Sequence, residues 1–417
     1  MILKRVVVTG MGALTPIGNS VNDYWQSLLA GKCGAAPITR FDTDKFKTKI
    51  ACEVKNVDLD AVIDPKEAKR LDPFTQYTLV AADEAMRHSG LVLDAVDRNR
   101  AGVIWGSGIG GLQTLQEELA KFFGGDGRPR FNPFFIPKMI ADISAGHLSI
   151  RFGFKGPNFG TVSACASATH AILDAVNYIR LNKADIIVTG GSEAAISEAG
   201  VGGFNAMKAL SVRNDDPATA SRPFDRDRDG FVIGEGAGAL ILESMDHAKA
   251  RGAVIYGEVL GGGMSADAYH ITAPHPEGEG AGRVMVNALN DAEITPEQVD
   301  YINAHGTATP LGDLSEAMAI RRVFGSHASH LNISSTKSMT GHLLGAAGAI
   351  ESIACIQAMI HDIVPPTINH FNDDEQIDKG LNFTFNEAQK RPVRIALNNT
   401  FGFGGHNASV IFRKWDG

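Results

Sequence analysis

Short, almost uninterrupted apolar runs recur along this 417-residue chain, and stretches of helical periodicity separate them. The runs include RVVVTG at the start, Val103 to Trp105, Ile186 to Thr189, GAGALILES, VIYGEVLGGG, YINAHGT, HLNISSTK, and the closing pair VRIALNNT and ASVIFRK. Strands with one wetted face would alternate apolar and polar residues. Continuous runs need cover on both faces, which helices supply, so the pattern predicts an α/β fold. Between the runs, Ile172, Ala175, Val176 and Ile179 recur at helical spacing. GHLLGAAGAIESIACIQAMI reads as a second long helix with little that is polar on it, and it should be buried.

These two helices look like counterparts. Each follows a short strand-like run and a turn of small residues, in TVSACASATHAILDAV and ISSTKSMTGHLLGAAGAIESI, about 180 positions apart. A duplicated α/β unit explains the spacing, with one half over residues 1–255 and the other over 256–417. A chain of this length is too long for one small core, and two units fit it. The 46 glycines sit in short clusters beside apolar runs, as tight strand–helix turns require, rather than in a linker tract.

Charge and cysteine usage narrow the classes. Lys and Arg number 39 against 47 Asp and Glu, a net charge of −8, which argues against a general nucleic-acid binder. The four cysteines, Cys33, Cys52, Cys165 and Cys355, form no CxxC pair and no disulfide framework. We expect a reducing, cytoplasmic setting. The N-terminal run is too short for a secretory signal, and no uninterrupted apolar window of about 18 residues predicts a membrane span.

The glycine-rich GSGIGG, Gly106 to Gly111, matches GxGxxG after a strand. A dinucleotide site would want an acidic residue at a strand end about 20 positions on. The chain reads RPRFNPFF there, so a tight turn with close backbone packing is the better reading. Cys165 is different. It sits at a predicted helix start among Ala164, Ala166, Ser167 and Ala168, which leave room at the sulfur. Free N–H groups and the helix dipole at that position favour thiolate, so we expect an ionised nucleophile. Cys355 lies within the apolar helix and should be inert. His305, after a strand end in NAHGTATPLGD, and His342, at the start of the second helix, offer imidazole partners at similar junctions. No spacing here suits a metal. In NNTFGFGGHNASVIF, glycines at 402, 404 and 405 would let a backbone N–H approach a developing oxyanion.

Taken in order, ACASATHAI, SRPFDRDRDGFVIGEGAGALILE, GMSADAYHITAP, NAHGTATPLGD, STKSMTGHLLGAAGAIE and NNTFGFGGHN resemble the β-ketoacyl-[acyl carrier protein] synthases, most of all those of type II. The resemblance covers essentially the whole chain. It implies the thiolase fold: two similar α/β halves in a five-layered αβαβα arrangement, usually as a homodimer. It also implies roles. Cys165 would carry an acyl group as a thioester. His305 and His342 would stabilise the enolate left when malonyl-acyl carrier protein loses CO₂. The N–H groups of Cys165 and Phe403 would hold the tetrahedral oxyanion. Lys337 and Glu351 match a supporting charged pair. Thr307 and Thr309 match positions along the carrier's pantetheine arm, Thr272 a substrate-binding position, and Ile109, Phe204 and Phe403 the acyl pocket and its gate.

No cofactor or metal is called for by that chemistry. The alternatives are a polyketide-type ketosynthase, a thiolase acting on acyl-CoA, and a scaffold with a dead site. Thiolases replace one of the histidines, and chain-length-factor relatives lack the cysteine. His406 departs from the threonine common at that position, which bears on chain length rather than on the reaction. The resemblance implies acyl carrier protein as partner. Because both proteins are acidic, docking needs a local basic patch, and DPKEAKRLDP offers Lys66, Lys69 and Arg70 on one predicted helix surface.

Overall fold

The computed structural model describes residues 3–417. Ten strands join into one sheet: β1 (Val6–Leu14), β2 (Ala101–Gly106), β3 (Asn158–Thr161), β4 (Ile186–Glu193), β5 (Gly236–Ser244), β6 (Gly257–Ala266), β7 (Tyr301–Asn303), β8 (Asn332–Ser334), β9 (Ile395–Gly402) and β10 (His406–Arg413). Their spatial order is β8-β7-β9-β10-β6-β1-β5-β4-β2-β3. Counted outward from the centre, strands 1-5-4-2-3 on one side repeat as 6-10-9-7-8 on the other. The pairing repeats too. β3-β2-β4 and β8-β7-β9 are parallel, and the remaining partners on each side are antiparallel. The two sets meet where β1 and β6 pair antiparallel at Val6–Val259, Val7–Glu258 and Val8–Gly257.

Every residue of β1, β2, β4 and β5 is buried, because helices cover both faces. Helix α1 (Pro73–Ser89) packs outside β1 and β5. Helices α3 (Glu279–Asp291) and α4 (Pro310–Phe324) form the corresponding outer layer of the other half, with α3 on β6 and β10 and α4 on α3. Between the two sets of strands lie α2 (Ser167–Arg180) and α5 (Ala347–His361), which touch each other and strands from both sides. The sequence of layers is helix, sheet, helix, sheet, helix: a five-layered α/β fold. Leu344–His361 is long and apolar enough by composition to cross a membrane, but 89% of it is buried within this fold, where it serves as a central core helix.

The two central helices begin alike. A 3₁₀ turn, Ala164–Ala166, precedes α2, and Leu344–Ala346 precedes α5. Each turn opens on a left-handed residue that is not glycine, Ala164 at φ 51° and Leu344 at φ 49°. Such a conformation costs on the order of 1–3 kcal/mol and persists only where surrounding packing imposes it. Cys165 on the first elbow corresponds to Gly345 on the second.

Candidate active site

The parallel strands carry the site at their carboxyl ends, where α/β sheets bind ligands. β3 leads into the elbow that bears Cys165, β7 leads to His305, and β8 leads through a short helical turn to His342. β9 leads to Phe403, in the tight connection to β10. Ser167 secures the Cys165 elbow from both sides: its hydroxyl accepts from the Ser163 N–H (2.9 Å) and donates to the Ala164 carbonyl (2.7 Å). Gly402 passes so close that a Cβ there would lie 2.7 Å from the Ser163 carbonyl oxygen and 3.1 Å from the Cys165 nitrogen. Gly402 thus lets Phe403 run close past the elbow, and the backbone N–H groups of Phe403 and Cys165 favour the thiolate.

Cys165 is 8% exposed, and its Sγ lies 3.0 Å from His342 Nε2. The rings of His305 and His342 meet edge to face at 5.3 Å, with Phe231 against His342 and Phe401 against His305. Burial pushes the thiol up to about 12; Lys337 and the two backbone N–H groups pull it down by less. The helix start does not ionise Cys165, contrary to the expectation from sequence, because the environment that surrounds it comes from distant segments. Burial, reinforced by nearby Lys337, also holds both histidines well below the ordinary imidazole range. The resting constellation is a neutral thiol beside two neutral imidazoles.

Lys337 and Glu351 form an ion pair behind the histidines, each 1% exposed. Glu316, which sequence reasoning missed, accepts the His305 N–H and Gly306 N–H, both at 2.8 Å, and so fixes the turn that carries the imidazole. Burial raises its carboxyl to about 7. Asp313 does the same for the next turn, accepting from the Phe224 N–H (2.7 Å) and the Ala308 N–H (3.1 Å). A signal existed for Glu316: it stands three residues beyond the quoted NAHGTATPLGD.

A cavity of about 570 Å³ opens onto Cys165, His305 and His342. Ile109, Phe204, Phe403, Thr272, Thr307 and Thr309 all line it, and the two threonine hydroxyls lie 3.0 Å apart. Lys337 and Glu351 do not reach it. Phe231, Leu344 and Phe401, not picked out from the sequence, add to its apolar wall. The loop Gly106–Gly111 closes around a carboxylate of the chain itself, that of Glu193. Among the described residues no cluster of His, Cys, Asp and Glu could hold a metal ion.

Lys66, Lys69 and Arg70 are exposed and lie outside the cavity. They do not share one helix. The helix spans only Pro65–Ala68, with Lys69 at its C-terminal cap, and Asp72 already caps the next helix at Pro73. Arg70 instead stacks over the ring of Phe134 at 5.0 Å.

Comparison with known proteins agrees with this architecture. The family model described as Beta-ketoacyl synthase, N-terminal domain, matches residues 3–248, and the one described as Beta-ketoacyl synthase, C-terminal domain, matches residues 256–371. The chain is 49% identical to a 3-oxoacyl-[acyl-carrier-protein] synthase 2 of Synechocystis sp., covering 99% of this chain and 98% of that one. It is 50% identical to the protein of the same name from Staphylococcus aureus, covering 99% of both. Among solved structures, a Beta-ketoacyl synthase from Burkholderia phymatum aligns with a TM-score of 0.92 at 34% identity, over 99% of this chain and 100% of that one. A type II polyketide ketosynthase, solved in complex with its acyl carrier protein, aligns at 0.89 and 33% identity, over 99% and 100%. With a buried cysteine and two histidines at the strand ends of this fold, the chain belongs to the β-ketoacyl synthase family and is a condensing acyltransferase.

Proposed function

We propose that this enzyme lengthens an acyl chain by two carbons, taking both the acyl group and the malonyl unit from acyl carrier protein. The observation that carries the reading is the contact of Cys165 Sγ with His342 Nε2 at the floor of an apolar cavity, with two backbone N–H groups aimed at the sulfur. In acylation the Cys165 sulfur adds to the thioester carbonyl and its proton ends on the departing carrier thiol, while His342 stays a neutral imidazole with its Nε2–H as donor. The tetrahedral oxyanion rests on the N–H groups of Cys165 and Phe403. The carrier's thiol leaves with a proton. Malonyl-acyl carrier protein then enters along Thr307, Thr309 and Thr272. Its carboxylate C–C bond breaks, CO₂ departs, and the electron pair becomes an enolate whose oxygen is held by His305 and His342. Neutral imidazoles suit this task, and burial with Lys337 keeps them neutral. The enolate carbon attacks the Cys165 thioester, and collapse expels the cysteine sulfur, which takes one proton from solvent, the proton that balances loss of the carboxylate as CO₂. Splitting one condensation into two half-reactions is the gain of covalent catalysis.

The two halves, 1–255 and 256–417, divide the work in this reading: the first supplies the nucleophile and the second both histidines and the gate. A homodimer is supported by β3, an edge strand paired on one side only. Val162 beside it is an apolar side chain left 61% exposed. Four free thiols support a reducing, cytoplasmic location. Lys66, Lys69 and Arg70 form the docking patch for the acidic carrier.

Intact-protein mass spectrometry after mixing with a series of acyl-acyl carrier proteins tests the proposal. The expected result is a gain of one acyl group, lost in Cys165→Ser. Absence of acylation at every chain length would overturn it and favour a scaffold with a dead site. A polyketide-type synthase would acylate too, but would release chains extended several times without reduction.

A further inference from the structure

We infer that Glu193 is a positioning residue that fixes the Ile109 wall of the acyl cavity and thereby sets which acyl chains reach Cys165. Glu193 ends β4 and is fully buried. Its carboxylate gathers five donors. Oε2 accepts from the Gly108 N–H (2.8 Å) and the Gly345 N–H (3.0 Å). Oε1 accepts from the Ser107 hydroxyl (3.2 Å), the Ile109 N–H (3.2 Å) and the Gly110 N–H (3.4 Å). Four consecutive residues of one loop thus converge on a single carboxylate, as backbone nests converge on a bound anion. The side chain that this loop presents is Ile109, 39% exposed and facing the cavity that also contains Cys165.

The contact from Gly345 extends the device across the molecule. Gly345 occupies the second elbow at the position that Cys165 holds on the first. A Cβ there would lie 2.2 Å from the Gly108 nitrogen and 2.7 Å from Glu193 Oε2. The loop is therefore pressed between β4 and the elbow of the other half, and Ile109 has no freedom to withdraw while the carboxylate keeps its donors. Glutamine has the same shape but only one acceptor oxygen and an NH₂ that donates. In Glu193→Gln either the Gly108 and Gly345 N–H groups or the Ser107, Ile109 and Gly110 donors would face another donor. Unpaired buried N–H groups are costly, so the loop should shift and the wall loosen.

The inference rests on Ile109 bounding the acyl chain, as the proposed function has it, but the test does not require a carrier protein. N-alkyl iodoacetamides of graded length, from hexyl to hexadecyl, are reacted with Cys165, and the long-to-short rate ratio is read by peptide mass spectrometry. A wall displaced by about one methylene should change this ratio by on the order of tenfold in Glu193→Gln, in favour of the long chain. In an Ile109→Ala background the same change should alter the ratio by less than about twofold, because the wall is already gone. Acyl-acyl carrier proteins are run beside the iodoacetamides. If only those fail, the functional reading falls and the inference stands on the alkylation data. An unchanged ratio in folded Glu193→Gln would overturn the inference, as would an equal change with and without Ile109. If Glu193→Gln does not fold, Ser107→Ala decides by the same ratio, since it removes one donor and leaves the carboxylate in place.

Discussion

The state of the Cys165 thiol can be tested by its reactivity toward iodoacetamide as a function of pH. An ordinary cysteine titrates near 9.0, and burial carries Cys165 to about 12. The displacement costs the thiolate about 4 kcal/mol. Near neutral pH it leaves about 10³-fold less thiolate than an unperturbed thiol would have. A thiolate of higher basicity is also more nucleophilic, with a sensitivity of about 0.4–0.5, which recovers ~20-fold. The net expectation is alkylation ~50-fold slower than that of an exposed thiol at pH 7.5. The rate should climb about tenfold per pH unit from 6 to 10 without levelling off. The sign follows from the direction of the shift: a raised thiol is protonated, and unreactive, over the whole range below its pKa. The assay follows the Cys165 peptide itself, so that half-exposed Cys33 does not contribute. A plateau below pH 8 would refute the argument. It would mean that the N–H groups of Cys165 and Phe403, together with Lys337, outweigh burial and that the resting enzyme holds a thiolate.

Three other perturbations probe other parts of the site. Lys337→Met leaves the Glu351 carboxylate buried without its partner and should cost about 3–5 kcal/mol in urea unfolding; the double variant with Glu351→Leu should recover most of that, and equal losses would show that the pair is not coupled. Gly402→Ala would drive a Cβ against the Ser163 carbonyl and the Cys165 nitrogen, both backbone atoms, so the elbow and Phe403 must shift; the melting temperature should drop and kcat of the folded variant should fall by about 10²-fold, and an unchanged kcat would remove Phe403 from the oxyanion site. Reversing the charges at Lys69 and Arg70 should raise KM for carrier-bound substrate by about tenfold at low salt while activity on a small thioester survives; a parallel loss of both would make the patch structural.

Most of the sheet was readable in the sequence because buried strands announce themselves as continuous apolar runs. β3 starts a few residues earlier than the sequence reads: the strand-like run before Cys165 begins at Thr161, whereas the strand is Asn158–Thr161, short as an edge strand can be. The helix at Pro65 begins with Asp64 as its cap but ends after Ala68, so the three basic residues predicted for one helix surface straddle its end. For the site, local pattern located Cys165, His305 and His342 at their junctions and misjudged the thiol's ionisation. A helix start is visible in sequence, whereas the burial that decides the proton comes from Gly402, Phe403 and His342, more than 170 positions away. Glu193 was unreadable for the same reason. An acid after VTGG resembles any strand end, and only the folded chain brings the GSGIGG amides to it.

Duplication explains why that carboxylate is there. Repeating a strand–elbow–helix unit makes two elbows, each strained at its left-handed residue and each able to offer a side chain to the interface between the halves. Two thiols would not fit. A Cβ on the second elbow would run into the Gly108 nitrogen and Glu193, the groups that close the loop beside the first. The asymmetry is thus imposed by packing: the elbow that keeps a side chain holds the sulfur, and the elbow stripped to glycine donates its N–H to the carboxylate bracing the first elbow's surroundings. The C-terminal half compensates with His305 and His342 at its own strand ends. Neither half contains a complete site, and the interface between them is where the cysteine, the histidines and the Glu193 loop come into contact.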